Sequence, residues 1–297
     1  MTRPRGRPSA WLLAARPKTL AAAVAPVAVG TAVAYDRGGF APLPALAALA
    51  GAFLIQIGTN FANDYHDFVH GADSEDRIGP TRAVASGLLS VAEMRAGTIL
   101  VFVLAGLCGV YLARVAGWPV VAIGLASIAA GIGYTAGGVR SIGYRGLGDL
   151  FVFLFFGLAA VAGTAYVQLL AWPPEALWAS VPVGCLAVAI LVVNNYRDAD
   201  TDRASGKRTL AVRLGRGFAR GEYLALLAVA YAAPAVHWAA GWDGPWVLLA
   251  WLSLPLAVPP VRKILGRVEG PALNRALGET ARLMVVFGAL YALGIAL

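Results

Sequence analysis

Oxygen-bearing side chains recur at helical spacing in two short stretches of this chain. The first reads Asn60-Phe61-Ala62-Asn63-Asp64-Tyr65-His66-Asp67 and continues to Asp73. Asn60 and Asp64 are four apart, as are Asn63 and Asp67, and Asp64 and Asp67 are three apart. On a helix these side chains share one face. Carboxylates packed this closely at the end of an apolar helix repel one another and are poorly solvated. They require a cation, and hard oxygen donors point to a hard one such as Mg²⁺. A solvated acidic helix end is the plainer alternative. The second stretch repeats the pattern: Asn194, Asp198 and Asp202 are spaced by four, with Asn195 beside them. Mg²⁺ commonly takes one or two protein carboxylates and fills its shell with water and phosphate oxygens. Two such clusters facing each other would suit a diphosphate held through bridging metals. Arg82, Arg145, Arg197, Lys207 and Arg208 are the basic residues around them. Each alone reads first as a topology determinant; beside carboxylates, as a set, they become candidates for phosphate oxygens.

Other constellations carry less. His66 and His70 are four apart but have no third His or Cys nearby, so a zinc-type site is poorly supported. His237 precedes Trp238 and reads as structural. Gly143-Tyr144-Arg145-Gly146-Leu147-Gly148-Asp149 has neither P-loop spacing nor a preceding strand. Cys108 and Cys185 stand singly in apolar runs and read as core thiols. Tyr134, Phe151, Phe153, Phe155, Phe156 and Tyr166 either line an apolar tunnel or pack against core and lipid.

The elements that must position the two motifs follow from composition. Of 297 residues, 59% are hydrophobic and 13% charged, with a mean hydropathy of +0.70. Too few charges remain to solvate an ordinary surface, which excludes disorder, a coiled coil and a soluble enzyme. Nine apolar runs stand out: Leu20–Tyr35, Leu46–Asp64, Ala96–Leu112, Trp118–Gly137, Leu150–Leu170, Leu177–Tyr196, Tyr223–Trp238, Pro245–Val261 and Leu277–Leu297. With the N-terminus inside, 21 of the 24 Lys and Arg residues fall on one side; Arg37 and Arg114 fall on the other, and Arg282 in the last run. The positive-inside rule then places the N-terminus and both acidic motifs in the cytoplasm of a bacterial-type cell membrane. The net charge of +8 faces anionic headgroups and needs no nucleic acid to explain it. Residues 1–18 form a basic cytoplasmic extension of a single membrane domain spanning 1–297.

Eight of the sixteen acidic residues cluster where two long loops begin, roughly Tyr65–Arg95 and Arg197–Glu222. Asn63-Asp64-Tyr65-His66-Asp67 is echoed by Asn194-Asn195-Tyr196-Arg197-Asp198, with Asn, Tyr and Asp in register. The echo ends runs of the same direction, which suggests a parallel four-helix repeat. The expected architecture is therefore all-α: nine transmembrane helices, two four-helix pseudo-repeats plus one, around a central cavity capped by cytoplasmic loops.

These features together resemble the UbiA superfamily of intramembrane prenyltransferases, and within it the MenA branch, the 1,4-dihydroxy-2-naphthoate polyprenyltransferases of menaquinone biosynthesis. The matching stretches are Asn60–Asp73, Asp76–Gly87, Gly143–Gly157 and Asn194–Gly215. Against the general pattern NDxxDxxxD, position 71 is Gly and the next acid is Asp73, the spacing usual in the MenA branch. The resemblance implies Mg²⁺ as cofactor, with Asn60, Asn63, Asp64, Asp67, Asp73, Asn194, Asp198 and Asp202 as metal-site residues. Asp64, Asp67, Asp198 and Asp202 are the catalytic carboxylates. Tyr65, Arg82, Tyr134, Tyr144, Arg145, Asn195, Tyr196, Arg197 and Lys207 are the candidates it implies to touch polyprenyl diphosphate and 1,4-dihydroxy-2-naphthoate; no base for the naphthol proton is singled out, with Tyr65, Tyr134 and Tyr144 as options. The implied products are demethylmenaquinone, CO₂ and diphosphate. Another aromatic acceptor such as 4-hydroxybenzoate is the alternative. A secondary transporter is a further one, less favoured because the acids lie at one membrane face beside long loops.

Overall fold

The computed structural model of the chain describes residues 7–71, 79, 81–137, 141–266, 268 and 270–297. Among these residues every regular element is helical. A short α1 (Arg7–Ala15) precedes α2 (Ala21–Asp36), α3 (Pro42–Val69), α4 (Val91–Ala116) and α5 (Trp118–Gly133). Then come α6 (Gly148–Leu169), α7 (Pro174–Ala204), α8 (Leu210–Ala239), α9 (Pro245–Leu265) and α10 (Pro271–Ala296). Six of them, α3, α4, α6, α7, α9 and α10, are long and apolar enough to cross a membrane. The apolar stretches of α2 and α5, Ala22–Asp36 and Trp118–Gly133, are shorter. α8 is broken at Gly215, whose φ of 83° is not helical.

Local sequence sets the starts and stops. Proline in the first turn opens α3, α7, α9 and α10, where a missing N–H costs nothing. α4 starts at a capping box, with the Ser90 hydroxyl accepting from the Glu93 N–H and the Ser90 N–H donating to the Glu93 carboxylate. Sequence alone places loops from Tyr65 and Arg197, but both helices continue further, to Val69 and Ala204. Each ends where a glycine can take the left-handed conformation, Gly71 at φ 66° and Gly206 at φ 78°. The acidic motifs therefore lie on the final turns of helices, held by their geometry.

α7 forms the axis. Of its most apolar stretch, 72% is buried within the protein, against 17% for α4. Its residues Val183, Leu186, Val192 and Val193 centre a core that also draws on α2, α6, α8, α9 and α10. α6 passes through a π-helical segment, Phe153–Ala159, where it meets α7. A Cβ on Gly157 would lie 2.8 Å from the Gly184 Cα, so the two helices touch backbone to backbone. Such small-residue contacts let helices pack where lipid supplies no driving force between them. A separate, smaller cluster (Ala10, Ala14, Phe61, Ala83, Val84, Leu89 and Met94) joins α1 to the end of α3 and the start of α4.

Candidate functional site

The ends of α3 and α7 open on one cavity of about 1060 Å³. Asn60, Asn63 and Asp67 reach it from α3, and Asn194, Asn195, Arg197, Asp198 and Asp202 from α7. Arg82, Tyr134, Tyr144 and Lys207 also line it. Asp64, Tyr65, Arg145 and Tyr196 do not line it. Tyr196 is buried beside α8, with the Arg216 guanidinium 5.6 Å from its ring centre. Asp73 lies outside the described residues.

On α3 the four oxygen-bearing residues divide. The buried Asp64 carboxylate accepts hydrogen bonds from the backbone N–H of Ala83 (2.9 Å) and of Val84 (3.2 Å), so it is turned toward that loop. The expectation drawn from the sequence sets it beside Asp67 on the metal face; here both of its oxygens meet the 83–84 backbone. The physical reason is helical advance: at about 100° per residue, Asn63 and Asp64 bracket an arc of about 100°, with Asn60 and Asp67 between them. One edge of that arc meets the loop and the other meets the cavity. Asn60 donates through Nδ2 to the Ala15 carbonyl (2.9 Å) and Thr19 Oγ1 (3.0 Å), tying α3 to the α1–α2 junction. Asn63 accepts from Thr135 Oγ1 at 2.9 Å. Asp67 forms a buried ion pair with Arg82.

On α7 the pattern is uniform. The Arg197 guanidinium lies in a fork on Asp198, with Nε 2.7 Å from Oδ1 and Nη2 2.6 Å from Oδ2. It also donates to Asn194 Oδ1 and Asn274 Oδ1, each at 2.8 Å. Lys207 Nζ is 3.7 Å from Asp202 Oδ1 and 5.2 Å from the centre of the Tyr144 ring. Each cavity carboxylate thus faces one cation: Asp67 with Arg82, Asp198 with Arg197, Asp202 with Lys207. Buried charges need such pairing, because leaving one alone costs about 3–5 kcal/mol. Tyr134 sits just past α5.

The donor set suits a hard cation. Asp67, Asp198, Asp202, Asn63 and Asn194 offer only oxygen, and none of the nitrogen or sulfur that zinc prefers. Among the described residues no three acidic, His or Cys groups converge into a ready-made metal cage. An ion such as Mg²⁺ takes one or two carboxylates and fills its shell from water and phosphate.

Away from the carboxylates the cavity is apolar, walled by Leu112, Val120, Ile123, Phe151, Phe155, Phe156 and Val167. The Phe151 and Phe155 rings stack with centroids 6.0 Å apart. Phe153 packs instead against the core beside Gly184, and Tyr166 stacks on Trp172 with its hydroxyl donating to the Ala116 carbonyl. Among the polar residues of the site that escape a reading of the sequence are Thr135, which orients Asn63, and Asn274 of α10, which orients Arg197 and lines the cavity. Neither belongs to a periodic motif, and only tertiary packing brings them in.

Residues 23–292 match the UbiA prenyltransferase family. The chain is 39% identical over 295 residues to the 1,4-dihydroxy-2-naphthoate octaprenyltransferase of Escherichia coli (strain K12), covering 97% of this chain and 96% of that one. The structure of a UbiA homolog from Aeropyrum pernix K1 superposes with a TM-score of 0.71 at 17% identity, covering 92% of this chain and 96% of that one. A homolog from Archaeoglobus fulgidus bound to GPP and Mg²⁺ superposes at 0.59 with 16% identity, covering 95% and 99%.

Proposed function

Because the chain belongs to the UbiA prenyltransferase family, we propose that it is an integral membrane enzyme transferring a polyprenyl group from polyprenyl diphosphate to 1,4-dihydroxy-2-naphthoate. The observation that carries this reading is the shape of the cavity. Oxygen donors and cations gather at one end, from the last turns of α3 and α7, and aromatic and aliphatic side chains line the rest. A diphosphate head and a polyprenyl tail have that division. The naphthoate acceptor rests on the 39% identity to a relative of that name over nearly the full length of both chains.

Asn63, Asp67, Asn194, Asp198 and Asp202 are the residues that would hold Mg²⁺. Bound there, Mg²⁺ would neutralise charge building up on the departing diphosphate. Arg82, Arg197 and Lys207 lie beside the same carboxylates and would bind phosphate oxygens directly. Asp64 and Asn60 serve the site by fixing its frame, through the 83–84 amides and the α1–α2 junction. The bond between the prenyl carbon and the diphosphate oxygen breaks, and the electron-rich ring carbon that bears the carboxylate attacks. CO₂ then leaves that carbon, so the step is redox-neutral and yields the reduced form of demethylmenaquinone. The apolar wall formed by Phe151, Phe155 and Phe156 keeps water from capturing the cation-like prenyl carbon. Tyr134 lines the same cavity and would donate to a phosphate or naphthol oxygen.

In the membrane, α2 to α10 would make nine crossings, with the short α2 and α5 completed by their flanking turns. The Lys and Arg asymmetry directs the N-terminus and the acidic motifs to the cytoplasm. The test is an assay of the purified chain in detergent with dihydroxynaphthoate, a polyprenyl diphosphate and Mg²⁺, followed by mass spectrometry. Equal amounts of prenylated naphthol and diphosphate are expected, and both should vanish with EDTA or in Asp67→Ala and Asp198→Ala. Prenylation of 4-hydroxybenzoate in place of the naphthoate would overturn the acceptor. No release of diphosphate with any acceptor would overturn the reaction.

A further inference from the structure

At the motif end of the bundle, several basic side chains face carboxylates. Besides the three cavity pairs, Arg203 and Arg216 approach Asp200, and Lys263 approaches Glu279. Arg145, Arg208 and Arg213 are set apart by where they meet. They converge on one recess of about 540 Å³, walled otherwise by Tyr144 and Gly206. Among the described residues none of the three forms an ion pair. All three are exposed.

Their convergence is built into the backbone. The Arg208 N–H donates to the Tyr144 carbonyl at 2.9 Å, joining the segment before α6 to the segment before α8. Gly146 allows the close approach: its φ is 74°, and a Cβ there would lie 2.6 Å from the Arg208 carbonyl oxygen. Three like charges held together repel, and a bound anion relieves that repulsion. The planar forks of arginine match the oxygens of a phosphate better than an ammonium does. The recess is separate from the catalytic cavity but adjoins it, since Tyr144 forms part of both walls. Exposed apolar side chains continue from the same segments: Leu147 and Leu150 after Arg145, Leu214 and Phe218 after Arg213.

We propose that the arginine recess binds a phosphate group at the bilayer surface, supplied by the headgroup of an anionic phospholipid whose chains lie along the exposed leucines. Free diphosphate is the other source of the same chemistry. The inference rests on the chain being a membrane protein and is independent of the acceptor.

Native mass spectrometry of the full chain in detergent and EDTA, with phosphatidylglycerol, phosphatidylcholine or inorganic diphosphate added, separates the cases. The unaltered chain should retain phosphatidylglycerol about ten-fold better than phosphatidylcholine, and Arg145→Gln/Arg208→Gln/Arg213→Gln should lose at least about five-fold of that retention. The corresponding triple lysine variant keeps the charge without the forks and should restore part of it. Loss of diphosphate binding in the glutamine variant, with phosphatidylglycerol unchanged, would keep the recess and assign it to free diphosphate. If neither ligand distinguishes the glutamine variant from the unaltered chain, the proposal is overturned. Should the triple glutamine variant not fold, Arg213→Gln alone is compared, and retention equal to that of the unaltered chain overturns the proposal in the same way.

Discussion

The two acidic motifs look alike in sequence and are used differently in the structure. On α7, Asn194, Asp198 and Asp202 all reach the cavity, and the helix carrying them is the most deeply packed of the apolar helices. On α3, Asp64 and Asn60 are engaged in fixing neighbouring backbone, leaving Asn63 and Asp67 as the pair without such a tie. The difference follows from what surrounds each helix end. α7 is already immobilised by the main core, and its carboxylates face the cavity paired with Arg197 and Lys207. The end of α3 rests on the smaller cluster around Phe61 and Met94 and uses one carboxylate to hold its own loop. On the proposed reading, an acidic motif divides its residues between positioning and ligation within two helical turns.

The largest effects should fall where carboxylates face the cavity. Asp198→Asn and Asp202→Asn each remove charge from the diphosphate end and should lower kcat by roughly 10²–10³-fold, the scale of losing one preorganised electrostatic group. Asp67→Asn should do the same and also raise the Mg²⁺ concentration needed for half-maximal rate. That titration, run beside Asp64→Asn, tests the division on α3 directly. Equal shifts in Mg²⁺ requirement for the two variants would break it.

Asp64→Asn should instead act on stability. A carboxylate accepting from two backbone amides is replaced by a group with one acceptor and one donor, leaving one buried N–H opposed. The expected loss is about 1–3 kcal/mol, read as a lower thermal transition in detergent. The Mg²⁺ requirement of the folded fraction should stay where it is.

Much of this arrangement is legible in the sequence. Apolar runs locate the helices, and i, i+4 spacing of Asn and Asp locates the site, because both depend on local periodicity. The boundaries at Tyr65 and Arg197 mislead because charged residues read as loop, while the stop signals are Gly71 and Gly206 beyond them. The role of Asp64 is hidden because it depends on the amides of Ala83 and Val84, nineteen and twenty residues away. Arg145 is adjacent to a cavity residue in sequence yet opens on the far side of Tyr144. Asn274 joins the site through α10 and has no motif to announce it.

The smallest expected effect concerns how the α3 end is held. The segment anchored by Asp64 runs from Ala83 to Ser90, which caps α4. Ser90→Ala should cost about 1 kcal/mol, as cap removals generally do, and leave the Mg²⁺ requirement unchanged. The informative quantity is its coupling to Asp64→Asn. If the segment is one rigid unit, releasing one end relaxes the other, and the double variant should depart from additivity by more than about 0.5 kcal/mol. Additive losses would mean that the carboxylate and the cap act separately. The α3 motif would then depend on Asp64 alone for its loop contact, and the contrast with the core-supported α7 motif would be sharper still.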